Sequence, residues 1–176
     1  MSERIRYAWG ESSLGKFVAA VSEHGLVAFE FADDREAALV RFLDRLTGAT
    51  LEPDPNGLAA LVAALAAVVD RPESDPGIPL DPRGSAYQKQ VWTLLREIPV
   101  GETTSYGALA AGLGSRDARD VTAAVAENAI AILIPCHRVV KKDGSLSGYR
   151  WGVRRKRALL DRERQAVPFG LAGSLM

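Results

Sequence analysis

A chain of 176 residues is long enough for one full domain or two small ones, and 47% hydrophobic residues allow a sizeable core. Its 22 basic and 22 acidic side chains cancel, so no overall charge attracts a polyanion, and one cysteine with two histidines excludes an internal disulfide and a multi-cysteine zinc site. No apolar run approaches the roughly 20 residues needed to span a bilayer. The opening MSERIRYAWG lacks the apolar stretch of a secretory signal, so a cytoplasmic location is expected.

Residues 4–9, 16–21 and 26–31 are short runs rich in β-branched, aromatic and other apolar side chains, and predict a small antiparallel meander. Apolar positions at helical spacing predict helices over 35–46 and 58–70, with Asp54-Pro55-Asn56-Gly57 between them. Residues 71–84 hold four prolines and two glycines and read as a linker. This divides the chain into domains 1–83 and 84–176. Ser85 is the expected N-cap of a helix through Ile98, stopped by Pro99-Val100-Gly101. Thr104 or Ser105 caps a helix over 105–112. The turn Gly112-Leu113-Gly114-Ser115 leads to another over 116–126. Two short helices around a glycine turn read as a helix-turn-helix, although many such hairpins bind no DNA. Ala129–Val140 reads as a buried extended segment interrupted at Pro135. A basic helix over 153–164 follows, and the tail from Gln165 is expected to be poorly ordered.

Charge is unevenly placed along this plan. Residues 1–82 carry 7 basic and 14 acidic side chains, a net −7, and residues 83–165 carry 15 and 8, a net +7. Either the second half meets an anion, or two oppositely charged halves attract one another.

Cys136 sits in Ile134-Pro135-Cys136-His137-Arg138-Val139. A thiol attacks as its thiolate, and the adjacent histidine and arginine are expected to lower its pKa or accept its proton. Neighbouring side chains on an extended segment point to opposite faces, so His137 needs a bend at Pro135 or a bridging water to reach the sulfur. With one cysteine, an intrachain resolving thiol is excluded. A hydrolase-type nucleophile, a thiol that alkylates once, and an inert buried residue remain.

Pro135-Cys136-His137-Arg138-Val139 resembles the active-site motif of the O6-alkylguanine-DNA alkyltransferases, the methylated-DNA–protein-cysteine methyltransferases. The likeness extends through Gln90-Val91-Trp92, Ile98–Thr103, Ser105-Tyr106, Ala118-Arg119, Asn128 and Gly144–Gly152, in family order, and is nearest to the alkyltransferase half of bacterial Ada-type proteins. It is strong over 84–163 and loose before that. The resemblance implies an α+β protein with a ribonuclease-H-like α/β N-terminal domain and a mostly helical domain with a winged-helix-like helix-turn-helix. It implies stoichiometric transfer of an alkyl group, mainly methyl, from O6 of guanine and also O4 of thymine to Cys136 after the nucleotide is flipped out. His137 would take the thiol proton through a water, and Glu163 would orient His137. Asn128 would link the recognition helix to the cysteine segment. Tyr106 would donate to guanine N3. Val139, Ser147, Tyr149 and Trp151 would contact the base. Arg119, Ser115, Ala118 and Tyr106 would contact duplex DNA from the minor groove, with Arg119 filling the flipped base's place. No cofactor or metal is implied, and a monomer is expected.

Ala118, Ala123, Ala124 and Ala126 suit close approach to DNA, or equally reflect helix propensity. Asp120 stands where the family usually has a small residue, and Glu127 precedes Asn128; each either repels phosphate or pairs with an arginine. Trp151 is expected to narrow the pocket against groups larger than methyl, or to pack outward on the last helix. Rival readings are an alkyltransferase-like binding protein, which lacks the cysteine, and a Cys-His hydrolase, which would turn over repeatedly. Met1 and a full N-terminal half favour a free-standing protein.

Overall fold

The computed structural model describes residues 2–114, 117–146 and 148–167. The fold is mixed α+β and separates into two units.

In the first unit, β1 (Glu3–Ser12), β2 (Gly15–Val21) and β3 (Leu26–Phe31) form the expected antiparallel meander. The β1–β2 connection has only Ser13 and Leu14 between the paired Ser12 and Gly15. Gly15 takes φ 119°, which favours glycine there. Phe17 and Phe29 meet edge to face at 5.2 Å within the core. Asp34 caps α1 (Arg35–Arg45) by accepting from the amides of Glu36 and Ala37.

The sequence predicts no element between the helices at 35–46 and 58–70. It contains β4 (Ala49–Pro53), which pairs in parallel with β1 and completes the order β3-β2-β1-β4. Its five residues, Ala-Thr-Leu-Glu-Pro, are too few and too mixed to show strand alternation. Pairing with β1, after a crossover through α1, makes the strand. The alanine-rich α2 (Ala59–Asp70) buries Leu65, Val68 and Val69 and packs on β1.

Two short segments join this unit from later in the chain. Asp75–Arg83 bridges Leu80 to Leu26, and Ala129–Ala131 exchanges backbone hydrogen bonds with Phe29. The sequence boundary at 83/84 is therefore one of several crossings, since Arg71–Ser74 groups with the second unit. Linear composition does not register Ala129–Ala131 as sheet-edge material, because its backbone pairs with residues a hundred positions earlier.

In the second unit, Ser85 and Gln88 form a reciprocal capping box on α3 (Ala86–Leu95). This helix ends short of Ile98, where the amides of Glu97 and Ile98 turn back on carbonyls three residues earlier and Pro99 forbids continuation. Next come β5 (Thr104–Ser105), α4 (Tyr106–Gly112) and α5 (Ala118–Ala126). Ser105 caps α4 and Asp117 caps α5. The Trp92 indole donates to the Ala124 carbonyl at 2.8 Å, tying α3 to α5 inside the core. Past Ile132 the chain makes one 3₁₀ turn (Cys136–Arg138), then β6 (Val139–Val140), parallel to β5. The last helix, α6 (Val153–Ala166), buries Lys156, Leu159, Leu160 and Glu163. No helix among the described residues is long and apolar enough to cross a membrane.

Candidate active site

The extended segment expected around Pro135 is a turn. Ile132 has φ 67°, a left-handed conformation that a β-branched residue adopts only under constraint. The Arg138 amide donates to the Pro135 carbonyl and that of Val139 to the Cys136 carbonyl, closing the 3₁₀ turn. Consecutive side chains then fan around an axis rather than alternate across a strand. Cys136, His137 and Arg138 are all buried. The turn is anchored at its exit by β5–β6 pairing, with Thr104 opposite Val139. Near its entry, the Asn128 side-chain amide donates to the Ile134 carbonyl at 2.9 Å. Asn128 directly follows the C-cap of α5, so this bond joins that helix's end to the cysteine segment.

Glu163 of α6 is fully buried and faces the turn. One carboxylate oxygen pairs with His137 Nε2, and the other accepts from Arg138 Nε at 2.7 Å. Arg138 also donates to the Ile98 carbonyl at 2.7 Å. Burial works to raise the Glu163 pKa, but its bonds to His137 and Arg138 prevail and hold it ionised. Burial likewise pushes His137 below its ordinary value, outweighing Glu163, so the imidazole is neutral at pH 7. A neutral ring facing a carboxylate carries its proton on Nε2. Its Nδ1 then carries the ring's lone pair and is buried with no hydrogen-bond partner among the described residues.

The expectation that His137 and Arg138 depress the cysteine is corrected. Burial pushes the Cys136 thiol up to about 11. Both basic neighbours are engaged by Glu163. The groups that pull the thiol back toward ionisation are the Asn128 side chain, then the charges of Lys156 and Arg150. Nothing in the sequence singles out Lys156. The basic run Arg154–Arg157 looks like a solvated face, and only its register with Leu159, Leu160 and Glu163 marks the one residue turned inward.

Tyr149 and Trp151 meet edge to face at 5.2 Å, and the Arg150 guanidinium lies 5.7 Å from the Trp151 ring centre. Trp151 is buried, and its carbonyl accepts from Arg155 of α6. Tyr149 Oη is buried without a hydrogen-bond partner among the described residues, and burial raises its pKa well above the usual value. Tyr106 is half-buried as the first residue of α4.

The start of α5 presents Ala118, Arg119 and Asp120 to solvent, as it does Ala123 and Ala126 further along. Ala124 is buried and is not part of that surface. Arg119 is 91% exposed, and its guanidinium lies on the capping Asp117, 2.9 Å from one carboxylate oxygen. Ser115 and Ser147 lie outside the described residues. Among the described residues no group of three or more His, Cys, Asp or Glu side chains is placed to hold a metal ion.

Residues 86–165 match the family described as 6-O-methylguanine DNA methyltransferase, DNA binding domain. The methylated-DNA–protein-cysteine methyltransferase of Mycobacterium tuberculosis is 42% identical over 120 residues, covering 68% of this chain and 73% of that protein. The bifunctional transcriptional activator/DNA repair enzyme Ada of Escherichia coli is 43% identical over 160 residues, covering 90% of this chain and 45% of that protein. The chain thus spans about half the length of the Ada proteins it matches. The crystal structure of Mycobacterium tuberculosis OGT in complex with DNA superposes with TM-score 0.76 at 34% identity, over 94% of this chain and 97% of that one. The chain belongs to the methylated-DNA–protein-cysteine methyltransferase family.

Proposed function

We propose that this chain reverses O6-alkylation of guanine in double-stranded DNA by moving the alkyl group, mainly methyl, onto Cys136. The observation that carries this is the buried 3₁₀ turn that places Cys136 beside a neutral His137 held by Glu163. The thiol proton passes to His137 Nδ1, through a bridging water. The sulfur forms a bond to the alkyl carbon as the carbon–O6 bond breaks. Guanine leaves with the electron pair and takes up a proton. The thioether left on Cys136 is not hydrolysed, so each chain acts once.

Tyr106 donates to the departing base at N3, while Tyr149 and Trp151 wall the pocket and keep it narrow. Val139 and Ser147 contact the base, and O4-alkylthymine fits the same chemistry. The helix-turn-helix of α4 and α5 enters the minor groove. Ala118 and Ser115 approach the backbone there, and Arg119 leaves Asp117 to fill the place of the flipped nucleotide. The β3-β2-β1-β4 sheet supports a ribonuclease-H-like reading of the first domain, and β5–β6 beside α4 and α5 a winged-helix-like reading of the second. A cytoplasmic monomer working without cofactor or metal suits this scheme.

Intact mass after incubation with O6-methylguanine duplex tests the reading. About one methyl per chain, on Cys136, is expected, after which reaction stops. Continued turnover, or methyl on another residue, would sink it. Arg119→Ala is expected to slow repair of duplex by about ten- to a hundredfold, because flipping loses its support. Transfer from the free base, which needs no flipping, should keep its rate. Equal slowing of both reactions would contradict the assigned role.

A further inference from the structure

Arg150 and Trp151 are the middle residues of a turn that the Gly152 amide closes on the Tyr149 carbonyl at 2.9 Å. Gly152 takes φ 98°, a conformation that favours glycine. The same turn carries the edge-to-face pair of Tyr149 and Trp151. Two arginines fasten it to the helices around it. Arg155 of α6 donates to the Trp151 carbonyl at 3.0 Å. Arg150 Nη1 donates to the Ala126 carbonyl at 3.3 Å, and Ala126 is the last residue of α5. The final carbonyls of a helix lack partners within it and form the negative end of its dipole, so a guanidinium suits that place. The Arg150 guanidinium also lies over the Trp151 ring, 5.7 Å from its centre, where the indole face attracts a cation. One side chain therefore holds both the end of α5 and the larger aromatic ring of the turn. Two residues past Ala126, Asn128 binds the Ile134 carbonyl of the cysteine segment. The end of α5 is thus tied to the segment that carries the thiol and, through Arg150, to the aromatic pair.

We propose that Arg150 is a positioning residue that fixes the width of the alkyl pocket by tying the Tyr149–Trp151 wall to the end of α5. Without the guanidinium the turn keeps its bond to α6, but Trp151 loses the cation on its face and the Ala126 carbonyl loses its donor. The wall then yields more readily. Larger alkyl groups gain room, and a methyl group is held less well against the sulfur, which slows the displacement. Arg150 touches no reacting atom in this scheme and acts through Trp151.

The inference rests on the proposed alkyl transfer with Tyr149 and Trp151 as the pocket wall, and the test separates the two. O6-benzylguanine and O6-methylguanine are compared as free bases, so that contacts to DNA do not enter. Arg150→Met keeps an unbranched side chain and removes the guanidinium. It is expected to raise the ratio of benzyl to methyl transfer rates by about five- to tenfold. On methylated duplex the saturating rate should fall by a similar factor, while the half-saturating DNA concentration stays within about twofold. Arg150→Lys, which offers a cation to the same carbonyl and ring, should recover most of both changes. In the parent, NMR should show the Arg150 guanidinium protons displaced by the Trp151 ring and returning toward ordinary positions in Trp151→Leu; this reads the tie whether or not the Met variant folds. A folded Arg150→Met chain with an unchanged benzyl-to-methyl ratio, or Arg150 protons indifferent to Trp151→Leu, overturns the tie. Weaker duplex binding with an unchanged ratio also overturns it and makes Arg150 a phosphate contact. A parent chain that takes up no alkyl group from duplex or free base overturns the proposed function instead, and the NMR comparison still reads the tie.

Discussion

Cys136→Ala is expected to abolish methyl uptake, a loss of at least about a thousandfold, while duplex binding persists. Cys136 is the one thiol of the chain. Cys136 is buried, and alanine removes only its sulfur, a small volume, while leaving the Glu163 pairs untouched. The loss therefore reports chemistry rather than unfolding. Intact mass after exposure to methylated duplex, beside a gel-shift titration of the same DNA, checks both halves. Retained methylation in the alanine variant would place the acceptor elsewhere. Loss of binding with intact thermal stability would mean that Cys136 also holds the DNA-facing surface together.

Glu163→Gln is expected to cost both stability and activity. The carboxylate is the shared partner of His137 and Arg138, with all three buried. Its neutralisation leaves Arg138 in the interior without its anion, a loss of about 3–5 kcal/mol. For a chain of this size that lowers the melting temperature by roughly 6–20 °C. Methyl transfer should fall by about a hundredfold, because the imidazole loses the partner that sets its tautomer.

The same groups determine the acid response. His137 is depressed in the folded state, so its contribution is complete above its unfolded value near 6.5 and declines as pH falls below it. Glu163 is also depressed, so its contribution holds above the unfolded value of about 4.3 and declines as pH falls toward its folded value. The parent should therefore lose stability in two stages on acidification, and Glu163→Gln should lack the second. Melting temperature measured from neutral pH down to pH 3 tests this. A Gln variant melting within about 2 °C of the parent at pH 7 would show that the carboxylate does not hold the buried Arg138.

Local chemistry made much of this protein legible from sequence. The meander of β1–β3 follows from short apolar runs separated by turn residues, and the starts of α3 and α4 follow from Ser85 and Ser105, whose side-chain oxygens cap them. The Pro-Cys-His-Arg-Val motif, with Asn128 before it and Tyr149 after it in family order, carried the resemblance to the family. Sequence could not register β4, which is a strand only because β1 offers it a parallel edge. It also could not show that Ala129–Ala131 pairs with Phe29. The thiol's environment was the larger correction. Adjacency suggested that His137 and Arg138 would ionise Cys136, but a 3₁₀ turn aims both at Glu163, 25 and 26 residues later. Lys156 was hidden within a basic run because exposure is decided by the packing of a whole helix face. Short-range preferences are written in neighbouring residues, whereas burial and charge balance depend on which distant groups the fold brings together, and those decide which protons Cys136, His137 and Lys156 hold.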